Sequence, residues 1–288
     1  MLKCLELPKF RAFPHNHWTG SSYRFRKNIL IYLFFLSILF GLGCGEDEAS
    51  SANSVVLNVA TAANVQFAMK DIEVAFEEKY GVNINIIIGS SGKLTAQIVQ
   101  GAPYDLLISA NLKYPLHLYQ EKLATTPPNI YALGSLVVWT WQDGLILDDT
   151  LGVLESAAVH KIAIANPKNA PYGEQALTAM EHFGKKEAVT SKLVYAESIA
   201  QTNLYVTTKN CEVGFTAKSV VLAPDMIGKG HWIEVPAIAY QPIEQGIVIT
   251  KYGASKNQQT AQQFYDFMFA DTAQQILKKY GYSLPSNQ

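Results

Sequence analysis

Residues 55–98 read VVLNVATAANVQFAMKDIEVAFEEKYGVNINIIIGSSGKLTAQI, and this segment predicts a strand, a turn and a helix twice in succession. The first strand is β-branched and apolar, and the apolar positions after it repeat at helical spacing until Gly81 ends the pattern. The predicted elements are a strand at 55–59, a turn at 60–64, a helix at 65–80, a strand at 84–88, a turn at 89–92 and a helix at 93–99. Each turn therefore brings the N-terminus of a helix to the carboxyl end of a strand.

The start of an α-helix suits an anion, because it presents unpaired N–H groups and the positive end of the helix dipole. In open α/β sheets, ligands bind in the crevice outside the carboxyl ends of the strands. The two units of residues 55–98 place two helix starts at such an edge. We therefore predict that this segment forms half of a binding site for a small anion.

The remainder of the chain continues the alternation of strands and helices. Further strands are predicted at 104–108, 136–141, 160–165, 193–195, 213–216 and 246–250. Further helices are predicted at 113–121, 174–182, 199–207, 258–269 and 272–280, with a loop over 166–173. A chain of 288 residues with 49% hydrophobic residues can bury a large core, and two domains accommodate it better than one.

The charge of the chain is unevenly distributed. Residues 1–43 carry six basic side chains against Glu6 alone, which leaves 17 basic and 23 acidic side chains from Cys44 onward. No arginine follows Arg26. An acidic body without arginine argues against nucleic-acid binding, which relies on basic patches. It also argues against a receptor that clamps a carboxylate with arginine.

The N-terminal segment has the pattern of a targeting signal. A basic cluster at 24–27 precedes an apolar run of fifteen residues at 29–43, which is short for a membrane span. We predict that residues 1–44 form a signal peptide that ends at Cys44, a candidate lipidation site resembling that of bacterial lipoproteins, and that 45–53 form a polar linker. An uncleaved anchor and an ordinary secretion signal are the alternatives.

Catalytic chemistry has little support in the sequence. The six histidines are scattered, two of them in the leader, and neither a Gly-x-Ser-x-Gly elbow nor a His-Glu-x-x-His motif occurs. Cys211 has no histidine near it in the sequence and is predicted to pack in the core. An exported enzyme remains an alternative, but we predict no catalytic residue.

A series of short motifs resembles the periplasmic molybdate-binding proteins. The matching segments occur in family order at 62–64, 89–94, 101–110, 166–173, 196–199, 213–215 and 279–282. The resemblance covers residues 54–284 and implies the type II periplasmic binding fold. That fold has two α/β lobes, each a mainly parallel sheet flanked by helices, joined by two crossover strands. On this pattern, lobe 1 comprises 54–134 with 241–288, and lobe 2 comprises 135–240.

The resemblance also implies the residues that bind the oxyanion. They are Ala63 through its N–H, Asn64, Ser91, Tyr172 and Ile199 through its N–H. The tyrosine that some members place after the Gly-Phe strand is replaced here by Ala217, and Tyr172 is expected to take over its role. Molybdenum is expected only within bound molybdate, with no direct bond from the protein to the metal and no separate cofactor.

Each of these residues also has a structural interpretation. Asn64 is a favoured helix cap, and Ser91 lies in a Gly-Ser-Ser-Gly segment typical of turns. Tyr172 is compatible with an aromatic residue on a surface turn, and Ile199 with a core position whose side chain plays no part in binding. Lys93 is expected to be solvated or to attract anions at long range rather than to contact the ligand.

The resemblance implies an extracytoplasmic solute-binding protein. It is expected to be a monomer that captures molybdate or tungstate between its lobes and delivers the anion to an ABC permease and its ATPase. The expected location is the periplasm, with attachment to a membrane through a lipid on Cys44 or through the uncleaved leader. Receptors for sulfate, phosphate or ferric iron are the alternatives within the same fold.

Overall fold

The computed structural model of the protein describes residues 56–285. The strands, β1 to β10, are Val56–Ala62, Asn83–Gly89, Leu106–Ser109, Asn129–Gly134, Leu136–Thr140, Ile162–Ala165, Leu193–Ala196, Val213–Ala217, His231–Glu234 and Ile243–Ile249. The α-helices, α1 to α10, are Gln66–Tyr80, Ser91–Val99, Lys113–Gln120, Pro171–His182, Lys186–Val189, Ile199–Thr207, Lys218–Val221, Lys251–Lys256, Gln258–Phe267 and Asp271–Lys279. The predicted leader, the linker and Cys44 lie outside the described residues.

The strands form two five-stranded sheets, in the orders β2-β1-β3-β10-β4 and β7-β6-β8-β5-β9. In each sheet the first three strands are parallel, the fourth runs antiparallel to them, and the fifth pairs antiparallel with the fourth. Four strands of each sheet therefore point the same way. The predicted two-lobe α/β fold is confirmed, with sheets that are mixed rather than parallel throughout.

The chain passes between the two sheets twice. Only Ser135 separates β4 of the first sheet from β5 of the second, and residues 235–242 lead from β9 back to β10. We call the first sheet with its helices the first lobe, and the second sheet with its helices the second lobe. We propose the lobe boundaries given above, at 134–135 and 240–241.

Helices cover both faces of the first sheet. On one face α1, α9 and α10 bury an aromatic cluster in which the rings of Phe76 and Phe264 meet edge to face at 5.1 Å. On the other face Leu94 of α2 and Leu118 of α3 pack with Leu107 of β3. This packing fixes the positions of α1 and α2, and therefore of the ends that these helices present to the cleft.

A second cluster of buried residues fills the second lobe around Trp139. Cys211 lies buried in this cluster as an unpaired thiol, and burial raises its pKa. Within residues 56–285, the helices are all too short or too polar to span a bilayer.

The predicted turns are shorter in the structure. The turn predicted at 60–64 is wrong, because β1 continues to Ala62 in register with β2 and a single 3₁₀ turn at Ala63–Val65 leads into α1. In place of the turn predicted at 89–92, Ser90 alone separates β2 from α2. The loop predicted over 166–173 ends earlier, because Pro171 takes the first position of α4, where its missing N–H removes no hydrogen bond. Each strand therefore leads almost directly into a helix start.

Candidate ligand-binding site

Four helix starts converge on one buried cavity between the lobes. The first lobe supplies α1 after β1 and α2 after β2, and the second supplies α4 and α6. The cavity is small, with about 10 Å³ available to the centre of a water molecule, and it is lined by residues 62–64, 89–91, Ala110, 170–172 and Ile199. Both lobes therefore contribute helix N-termini to the same small volume.

Three of these four helices begin without a side-chain cap. The starts of α1, α2 and α4 lack a side-chain hydrogen bond at the N-cap, whereas Ser198 caps α6 by accepting from the N–H of Gln201 at 3.4 Å. The first N–H groups of an α-helix have no partner within the helix itself. The uncapped starts can therefore donate hydrogen bonds to an anion in the cavity.

Ser91 is held in an orientation suited to donating a hydrogen bond. Its Oγ accepts a hydrogen bond from the backbone N–H of Ala110 at 2.9 Å, and both residues are buried against the cavity. A hydroxyl that accepts in this way retains its own hydrogen for another partner. Ser91 can therefore donate into the cavity while it fixes the end of β3 against α2.

Tyr172 lies in the first turn of α4 with 1% of its surface exposed. Its hydroxyl has no hydrogen-bond partner within the described part of the chain. Burial raises the pKa of this phenol well above its ordinary value, although the nearby Asn64 amide favours the ionised form. A Cβ at Gly134 would overlap the hydroxyl, so glycine there leaves room for it. Tyr172 is therefore a neutral buried donor and not a surface aromatic.

The side chain of Asn64 is engaged within the protein. Its Nδ2 donates to Gln245 Oε1 at 2.7 Å and to Tyr282 Oη at 3.0 Å. Its backbone carbonyl accepts from Ser219 Oγ of the second lobe at 2.6 Å. The amide donors thus belong to a polar network beneath the cavity. What remains for a ligand is the backbone N–H of Asn64, at the start of the turn that enters α1.

The remaining candidates contribute backbone groups. Ala63 and Ile199 line the cavity, and their side chains belong to the buried cluster around Trp139. Their N–H groups, at the starts of helical segments, are the only donors that these two residues could offer to a ligand. Ala217 ends β8, is buried and lies outside the cavity lining, so no donor comes from that position.

Sequence reasoning missed three residues that supply polar groups at or beneath the cavity. Ser90 lines the cavity beside Ser91, and Ala110 supplies the N–H that orients Ser91. Gln245 lies beneath the cavity, where it accepts from Asn64. The doubled serine was visible in the sequence, but nothing near Gln245 indicated that β10 begins where β3 ends.

The cavity lining carries no ionisable group other than Tyr172. Lys93 instead forms an exposed ion pair with Glu197 across the cleft, and both side chains are about half exposed, at 50% and 52%. Within residues 56–285, no three side chains of the types His, Cys, Asp and Glu are grouped to hold a metal ion. The polar side chains that line the cavity are therefore neutral, namely those of Asn64, Ser90, Ser91 and Tyr172.

Asp105 lies at the opposite end of β3 from the cavity. Its carboxylate accepts from the N–H of Asn58 at 2.7 Å and from Asn257 Nδ2 at 2.9 Å. Burial raises the pKa of this carboxyl, and the two hydrogen bonds oppose the shift. Asp105 therefore ties β1, β3 and the start of α9 together and is remote from any ligand.

The fold agrees with comparisons to known proteins. The family described as bacterial extracellular solute-binding protein matches residues 57–283. The molybdate-binding protein ModA of Azotobacter vinelandii is 37% identical over 248 residues, which cover 86% of this chain and 97% of that protein. The molybdate-binding protein ModA of Rhodobacter capsulatus is 36% identical over 248 residues, covering 86% and 93%.

A solved structure gives the same result. The periplasmic molybdate-binding protein of Azotobacter vinelandii superposes with a TM-score of 0.76 at 33% identity, covering 80% of this chain and all of that one. The match spans both lobes and the cleft between them. This chain therefore belongs to the bacterial extracellular solute-binding proteins, in the family of the periplasmic molybdate-binding proteins.

Proposed function

We propose that this protein captures molybdate or tungstate in the buried cavity between its lobes. The observation that carries the proposal is the convergence of four helix starts, two from each lobe, on a cavity lined by neutral donors. In this proposal Ser91 and Tyr172 donate from their hydroxyls, and Ala63, Asn64 and Ile199 donate from their backbone N–H groups. The ligand is transported cargo, so no catalytic residue or resident cofactor takes part.

Neutral donors allow a doubly charged anion to be buried at a low cost in desolvation free energy. A desolvated anion needs its lost water hydrogen bonds replaced, and neutral donors do so without the cost of burying further charges. Each hydrogen bond to a charged group contributes about 1.5–3 kcal/mol. Each helix start adds about 0.3–1 kcal/mol, and up to about 2 kcal/mol where it is partly buried. Five such contacts support tight binding after the cost of closing the lobes.

The chemistry of the lining favours an anion that carries no proton. Phosphate keeps a proton near neutral pH, and that proton is best received by a carboxylate, but no Asp or Glu lines the cavity. Sulfate, molybdate and tungstate are all unprotonated dianions at neutral pH. Sulfate is the smaller tetrahedron, so the fit to the cavity must separate it from the other two, whereas molybdate and tungstate nearly share size and charge.

The relatives support the same ligand. Two proteins named for molybdate binding, at 37% and 36% identity, each align with 86% of this chain. Their sequences extend across both lobes, so the likeness includes every segment that lines the cavity. The family name also supports a location outside the cytoplasm.

We infer delivery of the anion to an ABC permease and its ATPase by a monomer held at the membrane. The support for anchoring is the basic cluster, apolar run and Cys44 of the leader. Replacement Cys44→Ser should release the protein from the membrane fraction or leave it unprocessed. A parent protein that fractionates as fully soluble would contradict the lipid anchor and leave the proposed ligand unaffected.

The proposed ligand is tested by thermal unfolding of the purified protein with molybdate, tungstate, sulfate and phosphate. A ligand at a thousandfold excess over its Kd should stabilise the folded state by about 4 kcal/mol. We expect this stabilisation with molybdate and tungstate and a much smaller one with millimolar sulfate or phosphate. Equal shifts with all four anions would contradict the assignment.

A further inference from the structure

Ser90 is a buried serine at the edge of the cavity that makes no hydrogen bond with its side chain. It is the single residue between the end of β2 and the start of α2, and 4% of its surface is exposed. It lines the cavity beside Ser91. Its Oγ has no hydrogen-bond partner among residues 56–285. This hydroxyl is therefore both desolvated and unpaired.

The position of Ser90 makes the missing hydrogen bond informative. Ser90 is the N-cap residue of α2 with extended backbone angles, and serine in this position ordinarily accepts from an N–H of the first turn. Ser198 at α6 and Thr250 at α8 both do so, through the N–H groups of Gln201 and Gly253. Ser90 departs from this pattern, so capping does not explain its hydroxyl.

The neighbouring groups do not explain it either. Ser91 Oγ is occupied by the N–H of Ala110, and the carbonyl of Ser90 accepts from the N–H of Leu94 within α2. Buried hydroxyls in proteins are nearly always paired, because an unpaired one loses its hydrogen bonds to water without compensation. A group that lies against a ligand cavity can recover the hydrogen bond from the ligand.

We propose that the Ser90 hydroxyl is a further donor to the bound oxyanion. With Ser91 it gives the turn between β2 and α2 two adjacent hydroxyl donors to the anion. This assignment rests on the proposed function and extends its donor set within the first lobe. The oxyanion supplies only acceptor oxygens, which match a hydroxyl that has no acceptor within the protein.

The test is Ser90→Ala, measured by titration calorimetry with molybdate and by unfolding without ligand. Loss of a hydrogen bond to a charged group should weaken molybdate binding by about tenfold to a hundredfold. Without ligand, the unfolding midpoint should stay the same or rise, because the variant removes an unpaired buried polar group. An unchanged or higher midpoint also establishes that the variant is folded.

The matched control is Thr250→Ala, at a helix cap on the opposite edge of the first sheet. Thr250 Oγ1 accepts from the N–H of Gly253 at 3.0 Å, so its removal should lower the unfolding midpoint and leave molybdate affinity unchanged. The two variants are thus expected to show opposite patterns. Molybdate affinity of Ser90→Ala within twofold of the parent would overturn the assignment of Ser90 alone.

Loss of unliganded stability in Ser90→Ala, matching that of Thr250→Ala, would also overturn the assignment, because it would show that the hydroxyl has a structural partner. A parent protein that binds neither molybdate nor tungstate would overturn the proposed function, and the assignment of Ser90 with it. The binding of the parent therefore separates the two failures.

Discussion

The backbone N–H of Gly92 donates to the carbonyl oxygen of Asn169 at 2.9 Å, and this hydrogen bond joins the first lobe to the second beside the cavity. A Cβ at Gly92 would lie 2.7 Å from Asn169 Cβ and 2.9 Å from Tyr114 Oη, so the two lobes approach too closely there for any side chain. The ion pair of Lys93 with Glu197 crosses the cleft at the next residue. The start of α2 is therefore both part of the site and a contact that closes it.

The close approach at Gly92 predicts that Gly92→Ala impairs closure without impairing folding. Alanine is the better helix former by about 1 kcal/mol, so unfolding in the absence of ligand should be unchanged or more difficult. In the closed arrangement the added methyl meets Asn169, and Asn169 must move or the lobes must stay apart. We expect molybdate affinity to fall at least about tenfold by titration calorimetry, which corresponds to about 1.4 kcal/mol.

The control is the opposite exchange, Ala96→Gly, on the exposed face of the same helix. It should cost about 1 kcal/mol of stability through helix propensity and leave molybdate affinity near that of the parent. If Gly92→Ala binds molybdate as tightly as the parent, the contact between Gly92 and Asn169 plays no part in ligand capture.

The network beneath the cavity predicts a structural role for Gln245. This residue is fully buried in β10, and its Oε1 accepts from Asn64 Nδ2 at 2.7 Å. Its Nε2 donates to the carbonyl of Ile243 at 3.3 Å. In Gln245→Leu, the buried side-chain amide of Asn64 loses the oxygen atom to which it donates. We expect a loss of about 1–3 kcal/mol in the free energy of unfolding, measured with denaturant.

The same change should weaken ligand binding, because Asn64 begins the helical turn that faces the cavity. The control is Gln262→Leu on the exposed face of α9, where a surface substitution should shift stability by less than about 0.5 kcal/mol. Equal stability of the two variants would show that the network around Gln245 does not constrain Asn64.

The helices of the site were predictable from the sequence, but the turns before them were not. Local periodicity located α6 at Ile199–Thr207 and the end of α1 at Gly81, because both signals reside in neighbouring residues. Ala60 and Ala62 resemble turn residues in composition. In the structure they are buried strand residues, and Ala62 packs in the cluster that fills the second lobe. That contact comes from tertiary packing and leaves no local trace.

The strands β4 and β9 escaped prediction for a related reason. Each lies at the edge of its sheet and pairs with one strand, β10 or β5, far away in sequence. The edge strands β2 and β7 were predictable because each completes a strand–helix–strand unit with the parallel strand that it pairs with, whereas β4 and β9 belong to no such unit. The difference between Ser90 and Ser91 was equally invisible, since two adjacent serines have the same local chemistry and differ only in what surrounds them.

The buried phenols Tyr172 and Tyr282 predict how the protein responds to alkaline pH. Burial raises the pKa of each well above the ordinary tyrosine value of about 10. In the unfolded chain both ionise near pH 10, while the folded protein still holds both protons. Their contribution to stability is therefore complete below about pH 10 and is lost as the pH rises towards the folded pKa values.

For each such group, the free energy of unfolding should fall by up to about 1.4 kcal/mol per pH unit above about pH 10.

Because Tyr172 stays protonated as a donor, molybdate affinity should be flat from about pH 7 to about pH 9. Tyr172→Phe removes the proposed hydroxyl donor, so it should weaken molybdate binding about tenfold to a hundredfold. It also removes one of the two buried phenols, so it should reduce the alkaline loss of stability. Tyr195→Phe is the control, since Tyr195 is exposed on β7 and should change neither property. Denaturant unfolding between about pH 8 and about pH 11, together with calorimetric titration at neutral pH, decides the outcome. An affinity that falls steadily from about pH 7 to about pH 9 would mean that Tyr172 ionises below the ordinary tyrosine pKa of about 10, which would contradict its role as a buried neutral donor.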